Sequence, residues 1–271
     1  MESDLPVADS HVHTEWSWDA ARGSMRESCQ RAIQLGLPAI AFTDHADFTA
    51  YVRVREGLLD IAGYHRCLEI CRAEFPELRI LSGVELGEPH LHAEEAEVIL
   101  GAGKLERVLG SVHCLQLPEG ETDASTPGLF TVERAPDLFR EYLAETLRLV
   151  ESASPFEVLA HLDYPKRYWP HDQLTYNELD YQEEFRAVLS AAARRGSVLE
   201  VNTTRGMEPQ RGLCPGPLVL GWWREVGGTA VSLGSDAHNP DKIAAGFKLA
   251  VEVLESAGFS RPADPLAYWL K

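Results

Sequence analysis

Val7-Ala8-Asp9-Ser10-His11-Val12-His13 is the stretch that points most directly to the fold, because a short apolar run ends there in two histidines one residue apart. In an extended chain, residues i and i+2 point the same way, so both imidazoles can reach one metal ion. A second such cluster, Ser235-Asp236-Ala237-His238, lies near the other end of the chain. The two clusters predict that distant segments meet at a buried metal centre.

Working outward from these clusters, short β-rich runs alternate with longer helix-like segments. The predicted strands are the run before His11 and residues 39–42, 79–84, 108–111, 158–160, 198–201 and 230–233. The predicted helices are residues 24–36, 58–75, 93–100, 137–151, 183–195 and 218–226, and residues 118–127 are predicted to form a mobile surface loop. This alternation predicts an α/β fold with a mostly parallel sheet or barrel, and we expect residues 1–271 to form a single domain.

Polar side chains follow every predicted strand, where parallel α/β folds place their active sites. In chain order they are His11 and His13, Asp44 and His45, Glu85, His113, His161, Asn202, and Asp236 and His238. Six of the ten histidines lie at these strand ends, which is more than isolated core or surface histidines would explain. Imidazole and carboxylate donors together favour Zn²⁺, Mn²⁺ or Fe²⁺.

Composition narrows the class of protein further. The chain carries 42 acidic against 25 basic side chains, and its formal net charge of −17 disfavours nucleic acid as a partner. No run reaches the roughly 18 apolar residues of a membrane span, and the N-terminus lacks the regions of a signal peptide, so we expect a soluble cytoplasmic protein without a membrane partner. The five cysteines are odd in number and lie mostly among helix-like or strand-like residues, so no disulfide framework is expected.

Six motifs together resemble those of the polymerase and histidinol phosphatase (PHP) superfamily. They are His11-Val12-His13, Thr43-Asp44-His45, Gly83-Val84-Glu85, Gly110-Ser111-Val112-His113, His161-Leu162-Asp163 and Gly234-Ser235-Asp236-Ala237-His238, in the family's order. The wording Phe42-Thr43-Asp44-His45 and Val201-Asn202-Thr203 is similar to the monofunctional histidinol-phosphatase branch. The resemblance implies a distorted seven-stranded (β/α)7 TIM-like barrel with two to three divalent ions, drawn from Zn, Mn and Fe.

The resemblance also implies which residues bind each ion. The implied ligands are His11, His13, Glu85 and Asp236 for the first ion, Glu85 with His113 and His161 for the second, and Asp19, His45 and His238 for the third. Asp19 departs from the family pattern, since many relatives carry a histidine there. A carboxylate can bind the same metals, whereas the alternative is a surface aspartate and only two firmly bound ions.

This site implies hydrolysis of a phosphate ester. By the resemblance, a metal-bridging hydroxide held by Glu85, His113 and His161 attacks phosphorus in line, and no nucleophile motif suggests a phosphoenzyme. The implied substrate is a small phosphorylated metabolite, L-histidinol phosphate, which would yield L-histidinol and phosphate in histidine biosynthesis. The alternatives are a PHP-type phosphoesterase acting on nucleotides or other small phosphate esters, a metal-dependent amidohydrolase, and a non-catalytic metal-binding protein. The sequence predicts no oligomeric state.

Residues around the ions are predicted less directly. Candidate phosphate-binding cations are Arg205, Lys166 and Arg167, followed by Arg53 or Arg55. Asp44 could orient a ligand imidazole through its second ring nitrogen, or could instead cap the following turn. The aromatic residues predicted near the mouth of the site are Trp16, Trp18, Tyr51 and Tyr168.

Overall fold

The computed structural model describes residues 7–49, 59–118, 120–208 and 210–271, and within them β-strands and helices alternate as predicted. The strands are β1 (Asp9–Val12), β2 (Ala39–Phe42), β3 (His45–Ala46), β4 (Arg79–Gly87), β5 (Arg107–Ser111), β6 (Cys114–Leu117), β7 (Gly120–Asp123), β8 (Val158–Leu159), β9 (Val198–Asn202), β10 (Ala230–Gly234) and β11 (Trp269–Leu270). All seven predicted strands are present, as β1, β2, β4, β5, β8, β9 and β10.

These seven strands form one parallel sheet in the order β1-β2-β4-β5-β8-β9-β10. Strand β3 also pairs with β4, and β11 adds an antiparallel edge to β10. The sheet curls until its ends meet, since the His13 N–H donates to the Ala237 carbonyl at 3.0 Å and the Asp236 N–H donates to the His11 carbonyl at 2.8 Å. The predicted distorted barrel is confirmed, and the seam that closes it runs through both metal-binding motifs.

Helices cover the outside of the curled sheet. They are α1 (Met25–Gln34), α2 (Ile61–Glu74), α3 (Ala93–Gly101), α4 (Ala135–Glu151), α5 (Gln182–Arg195), α6 (Pro217–Glu225) and α7 (Phe247–Ser256). The Ser24 side chain caps α1 by accepting the Glu27 N–H, and Gly196, with a φ of 78°, ends α5 in the left-handed conformation that glycine adopts readily. Helix α7 was not predicted, although Phe247, Ala250, Val251 and Leu254 recur at helical spacing and are buried. Among the described residues, no helix is both long and apolar enough to cross a membrane.

A hairpin occupies part of the segment that was predicted to be a loop. Cys114 pairs with Asp123 and Leu115 with Thr122, so β6 and β7 form a two-stranded antiparallel sheet. The loop prediction for residues 118–127 is therefore wrong for β7. Gly120 and Glu121 of β7 are exposed, while Cys114 and Leu115 of the paired strand β6 are buried.

Inside the barrel, polar residues replace part of the usual apolar filling. Glu200 lies in the middle of the buried strand β9 and pairs with Ser232 of β10. Gly234 lies two residues further along β10. A Cβ atom at Gly234 would lie 2.4 Å from Glu200 Oε1 and 2.5 Å from the His11 Cβ. Glycine at this position thus leaves room for His11 and Glu200 to meet inside the barrel.

Candidate metal centre

The predicted ligands converge at the carboxyl-terminal end of the barrel. They lie at the end of β1 (His11 and His13), in the following loop (Asp19), in β3 (His45) and β4 (Glu85), and just after β5 (His113), β8 (His161) and β10 (Asp236 and His238). All are buried except Asp19, which is exposed, and His238, which is partly exposed. Asp236 has a φ of 52°, an uncommon conformation for a residue other than glycine, and such backbone strain is concentrated at functional sites.

The first group of donors surrounds the seam of the barrel. His11 Nε2 lies 3.1 Å from Glu85 Oε2 and 2.9 Å from His13 Nε2. His13 Nε2 lies 3.2 Å from Asp236 Oδ1. Two imidazoles and two carboxylates therefore point at one position, as the first ion of the predicted centre requires.

Glu85 connects this first group to a second. Its Oε1 atom lies 2.7 Å from His161 Nε2 and 3.2 Å from His113 Nε2, while its Oε2 atom faces the first group. Burial alone would raise the pKa of Glu85, but the surrounding histidines His11, His45, His113 and His161 hold it well below its ordinary value. The carboxylate is thus ionised and lies between the two groups, the arrangement expected of a bridging ligand.

The third group lies nearer the mouth of the site. Asp19 Oδ2 is 3.0 Å from His238 Nε2 and 3.6 Å from His45 Nε2. The rings of His45 and His238 both stack on the ring of His13, at centroid distances of 4.2 Å. The structure therefore brings Asp19 together with both of its implied partners, although this group is more exposed than the other two.

Within the part of the chain that the structure describes, three sets of three donor atoms lie within 4.8 Å of one another, close enough to share an ion. They are His11, His13 and Asp236; His45, Glu85 and His113; and His13, His45 and His238. These sets overlap the implied groups without reproducing them, because His45 and His13 each lie between two groups.

The hydrogen bonds behind the first group test whether these residues fit a metal. His11 Nδ1 lies 2.6 Å from Glu200 Oε1, and the ionised carboxylate can only accept, so the ring proton is on Nδ1. The Ser17 hydroxyl donates to Asp44 at 2.8 Å, and its oxygen therefore accepts the Nδ1 proton of His13 at 3.0 Å. Both Nε2 lone pairs are left facing each other and the carboxylates of Glu85 and Asp236. A divalent cation relieves this repulsion, so the donor set fits a metal ion.

The pKa of His11 supports the same reading. Burial lowers it, but the carboxylates of Glu200, Glu85 and Asp236 raise it well above the ordinary value for histidine. In other words, this pocket strongly favours a positive charge among its carboxylates.

Two supporting carboxylates were not predicted as site residues. Glu200 accepts a hydrogen bond from the Nδ1–H of His11 and another from the backbone N–H of His161, the latter at 2.8 Å. Asp47 lies 3.0 Å from His113 Nδ1 and accepts the indole N–H of Trp18 at 2.8 Å. Both had a signal in the sequence, since Glu200 is the one charge in the apolar run of its strand, and Asp47 lies two residues after His45.

Asp44 forms no hydrogen bond with an imidazole of the described residues, so the direct orienting role predicted as one alternative is not seen. Its carboxylate accepts the Thr14 N–H at 2.6 Å, the Thr14 hydroxyl at 2.8 Å and the Ser17 hydroxyl at 2.8 Å. Its link to His13 therefore passes through Ser17, and its direct contacts hold the loop after β1.

Of the three candidate phosphate-binding cations, the structure brings Arg167 to the centre. Its Nη2 donates to Asp236 Oδ2 and to Asn202 Oδ1, each at 2.9 Å, and its guanidinium lies 4.9 Å from the centre of the Tyr164 ring. Lys166, the neighbouring residue in the 3₁₀ helix Tyr164–Tyr168, points away from it, because side chains in such a helix are about 120° apart.

Lys166 and Arg205 thus differ from the prediction. Lys166 is buried, and its Nζ lies 2.6 Å from Asp163 Oδ2 and donates to the Leu213 carbonyl at 2.6 Å. Arg205 is exposed and pairs with Glu208, three residues further along the same loop, at 2.9 Å. Neither side chain lines the cavity of the centre. Arg53, Arg55 and Tyr51 lie outside the described residues.

A cavity opens above the three groups. The residues that line it are Trp18, Asp19, His45, Asp47, His113, Asp123, Ser125, His161, Tyr164, Arg167, Tyr168, Asp236 and His238. Trp18 and Tyr168 lie at this mouth as predicted, whereas Trp16 packs beside Gly63 at the start of α2. Among the described residues, the cavity thus combines six of the nine candidate metal ligands with the guanidinium of Arg167 and the aromatic side chains of Trp18, Tyr164 and Tyr168.

Comparison with known proteins finds relatives that are similar to this chain in sequence and in fold. The PHP domain family model matches residues 9–204. A probable histidinol-phosphatase of Deinococcus radiodurans is 30% identical over 263 residues, covering 93% of this chain and 94% of the relative, and one of Clostridium acetobutylicum is 29% identical, covering 92% and 93%. The crystal structure of histidinol phosphate phosphatase from Lactococcus lactis subsp. lactis, complexed with Zn, L-histidinol and phosphate, matches with a TM-score of 0.83 and 25% identity over 94% of each chain.

The family model spans well over half of the chain, and the relatives named histidinol-phosphatase cover nearly all of it. The motif resemblance noted in the sequence is therefore confirmed. Together with the fold and the clustered histidines and carboxylates, these matches show that the chain belongs to the PHP family, in the branch whose relatives are named histidinol-phosphatases.

Proposed function

We propose that this protein is a metal-dependent phosphomonoesterase that hydrolyses L-histidinol phosphate to L-histidinol and phosphate. The observation that carries the proposal is the cavity that contains Arg167 together with six of the nine candidate ligands. The other three, His11, His13 and Glu85, lie within 3.7 Å of cavity-lining ligands. The Lactococcus lactis relative, whose structure contains Zn, L-histidinol and phosphate, supports the choice of substrate.

The nine predicted ligands would hold two to three divalent ions. They are His11, His13, Asp19, His45, Glu85, His113, His161, Asp236 and His238. Bound Zn, Mn or Fe ions would supply Lewis acidity for the phosphate oxygens and lower the pKa of water at the site.

The protein's own contribution begins with the orientation of the ligand rings. Glu200 keeps the proton of His11 on Nδ1, and Ser17 does the same for His13, so both Nε2 atoms keep a free lone pair. Asp47, 3.0 Å from His113 Nδ1, can fix that ring in the same way. Because the supporting carboxylates are buried and already hydrogen-bonded, the rings need little rearrangement to bind an ion.

Arg167 would bind the phosphate. The hydrogen bonds that hold its guanidinium to Asp236 and Asn202 use Nη2, and its Nε has no partner among the described residues. The group therefore has donors left for phosphate oxygens, and the delocalised fork of arginine suits their geometry. Burial against Tyr164 strengthens this contact because the surroundings have a low dielectric.

Phosphate release by the purified protein tests the proposal. L-Histidinol phosphate is compared with a few nucleoside monophosphates, in the presence of Mn²⁺ and after removal of metals with a chelator. Metal-dependent turnover of L-histidinol phosphate with little turnover of nucleotides is the expected result. Turnover confined to nucleotides would replace the proposed substrate by that of the alternative phosphoesterase, and activity that survives complete metal removal would contradict the metal-dependent chemistry.

A further inference from the structure

Asp123 is a carboxylate in the cavity that belongs to none of the implied metal-binding groups. It ends strand β7, where it pairs with Cys114 across the hairpin. Its Oδ1 accepts the Ser125 N–H at 2.6 Å, and the next residue, Ala124, donates its N–H to the His113 carbonyl at 2.8 Å. The hairpin thus fixes this carboxylate beside a candidate metal ligand and against the cavity.

The charge of Asp123 is unexpected in a site for phosphate. Among the described residues that line the cavity, Arg167 is the only arginine or lysine, and its guanidinium pairs with Asp236. An additional carboxylate repels a phosphate dianion, and this repulsion is appreciable in a partly desolvated cavity. Such a residue is favourable only when the bound molecule also carries a positive charge.

Opposite charges are therefore displayed on two parts of the cavity wall. Arg167 and Tyr164 come from the 3₁₀ helix after β8, whereas Asp123 comes from the hairpin after β5. The ring of Tyr164 contacts the rings of His113 and His161, at centroid distances of 5.5 and 5.1 Å, and so lies against the centre. A ligand with a phosphate at one end and an ammonium group a few bonds away can match both charges.

We propose that Asp123 binds the ammonium group of the substrate and thereby makes the site selective for phosphate monoesters of amino alcohols. This inference rests on the proposed phosphatase function, whose substrate carries an ammonium group next to its phosphorylated carbon. The carboxylate accepts a charge-assisted hydrogen bond from the ammonium group, while Arg167 binds the phosphate. Asp123 is thus a specificity-determining residue.

The test compares two substrates and three proteins. The substrates are L-histidinol phosphate and the matched ester without the amine, 3-(imidazol-4-yl)propyl phosphate. The proteins are the wild type, Asp123→Asn, and the control Glu121→Gln, which removes the same charge from the same strand where the side chain contacts His92 outside the cavity. The value of kcat/KM is measured for every combination in the same metal, after thermal unfolding has shown that the three proteins are equally folded.

Asp123→Asn should lower kcat/KM for the amine-bearing ester about 10- to 100-fold, the usual weight of a hydrogen bond to a charged group. For the ester without the amine it should change by less than about twofold or rise, since a repulsion is removed. Equal losses on both esters, or the same loss in Glu121→Gln, would overturn the assignment of Asp123. If the wild type hydrolyses neither ester, the proposed function itself fails, and that result is distinct from turnover of both esters with an unchanged preference.

Discussion

Replacing Lys166 distinguishes a structural lysine from one that binds phosphate. Its Nζ lies 2.6 Å from Asp163 Oδ2, the lysine is 3% exposed and the aspartate 0%. Burial lowers the pKa of Lys166, but Asp163 raises it above the ordinary value, so the lysine is charged at neutral pH. Lys166→Met would therefore leave the Asp163 carboxylate buried without a cation.

The expected cost follows from the depth of this pair. Breaking a buried ion pair by removing one partner costs about 3–5 kcal/mol, a large share of the roughly 5–15 kcal/mol by which a domain is stable. Removing the second charge as well relieves most of this cost, because no unpaired charge then remains. Asp163→Asn combined with Lys166→Met should recover at least half of the stability that Lys166→Met loses.

Urea unfolding followed by tryptophan fluorescence measures the effect, since the chain has six tryptophans. The exposed Arg205→Met variant is the control and should unfold like the wild type, within about 0.5 kcal/mol, with an unchanged KM. A Lys166→Met protein with wild-type stability but a tenfold higher KM would refute the reasoning, because it would show that this lysine reaches the substrate.

Three further predictions concern other charged residues of the structure. Glu200→Gln should weaken metal binding about 10- to 100-fold, because the amide no longer holds the proton of His11 on Nδ1. Competition with a chromogenic chelator measures the metal affinity, and an unchanged affinity would contradict the supporting role of Glu200. Arg167→Met should raise KM for the phosphate ester about 10- to 100-fold while the bound metal per chain stays the same, and loss of metal would instead show that the guanidinium mainly holds Asp236 in place. Burial raises the pKa of Glu145, but the hydrogen bonds of its carboxylate with His90 and Arg148 lower this pKa to about 2. The ionised carboxylate therefore stabilises the fold above the ordinary pKa of 4.5, and this stabilisation is lost as the pH falls toward 2. Glu145→Gln should therefore be about 2–3 kcal/mol less stable than the wild type at pH 6 and equal to it near pH 2, as measured by urea unfolding, whereas a difference independent of pH would exclude this origin.

Much of the fold could be predicted because the two relevant patterns are local. A buried parallel strand is a short apolar run, and a polar residue directly after it must lie at the carboxyl-terminal end of the sheet. That reasoning predicts the seven parallel strands and eight of the nine candidate ligands. Asp19, in the loop after β1, is implied only by the family resemblance. The extent of the domain and the cellular location stay predictions.

The rest depended on the direction of individual side chains in three dimensions. Nothing in the order of the neighbours Lys166 and Arg167 tells which one faces the cavity, because that depends on the 3₁₀ conformation of a short turn. Glu200 appears in the sequence as an isolated charge in a strand, and its role is evident only when β9 and β1 are seen to face each other across the barrel. Hairpin β6–β7 was missed because its pairing, not its composition, makes it a strand pair.

The seam that closes the barrel also has a consequence for how the protein is made. The Ser235 N–H donates to Asp9 Oδ1 at 2.9 Å, a contact between residues 226 positions apart in the chain. Asp236 and His238 emerge late during synthesis, long after His11 and His13. A nascent chain consequently cannot assemble the first group of ligands until Asp236, which follows β10, has left the ribosome. A metal ion bound by His11, His13 and Asp236 would therefore stabilise the closed barrel, because its ligands come from both sides of the seam.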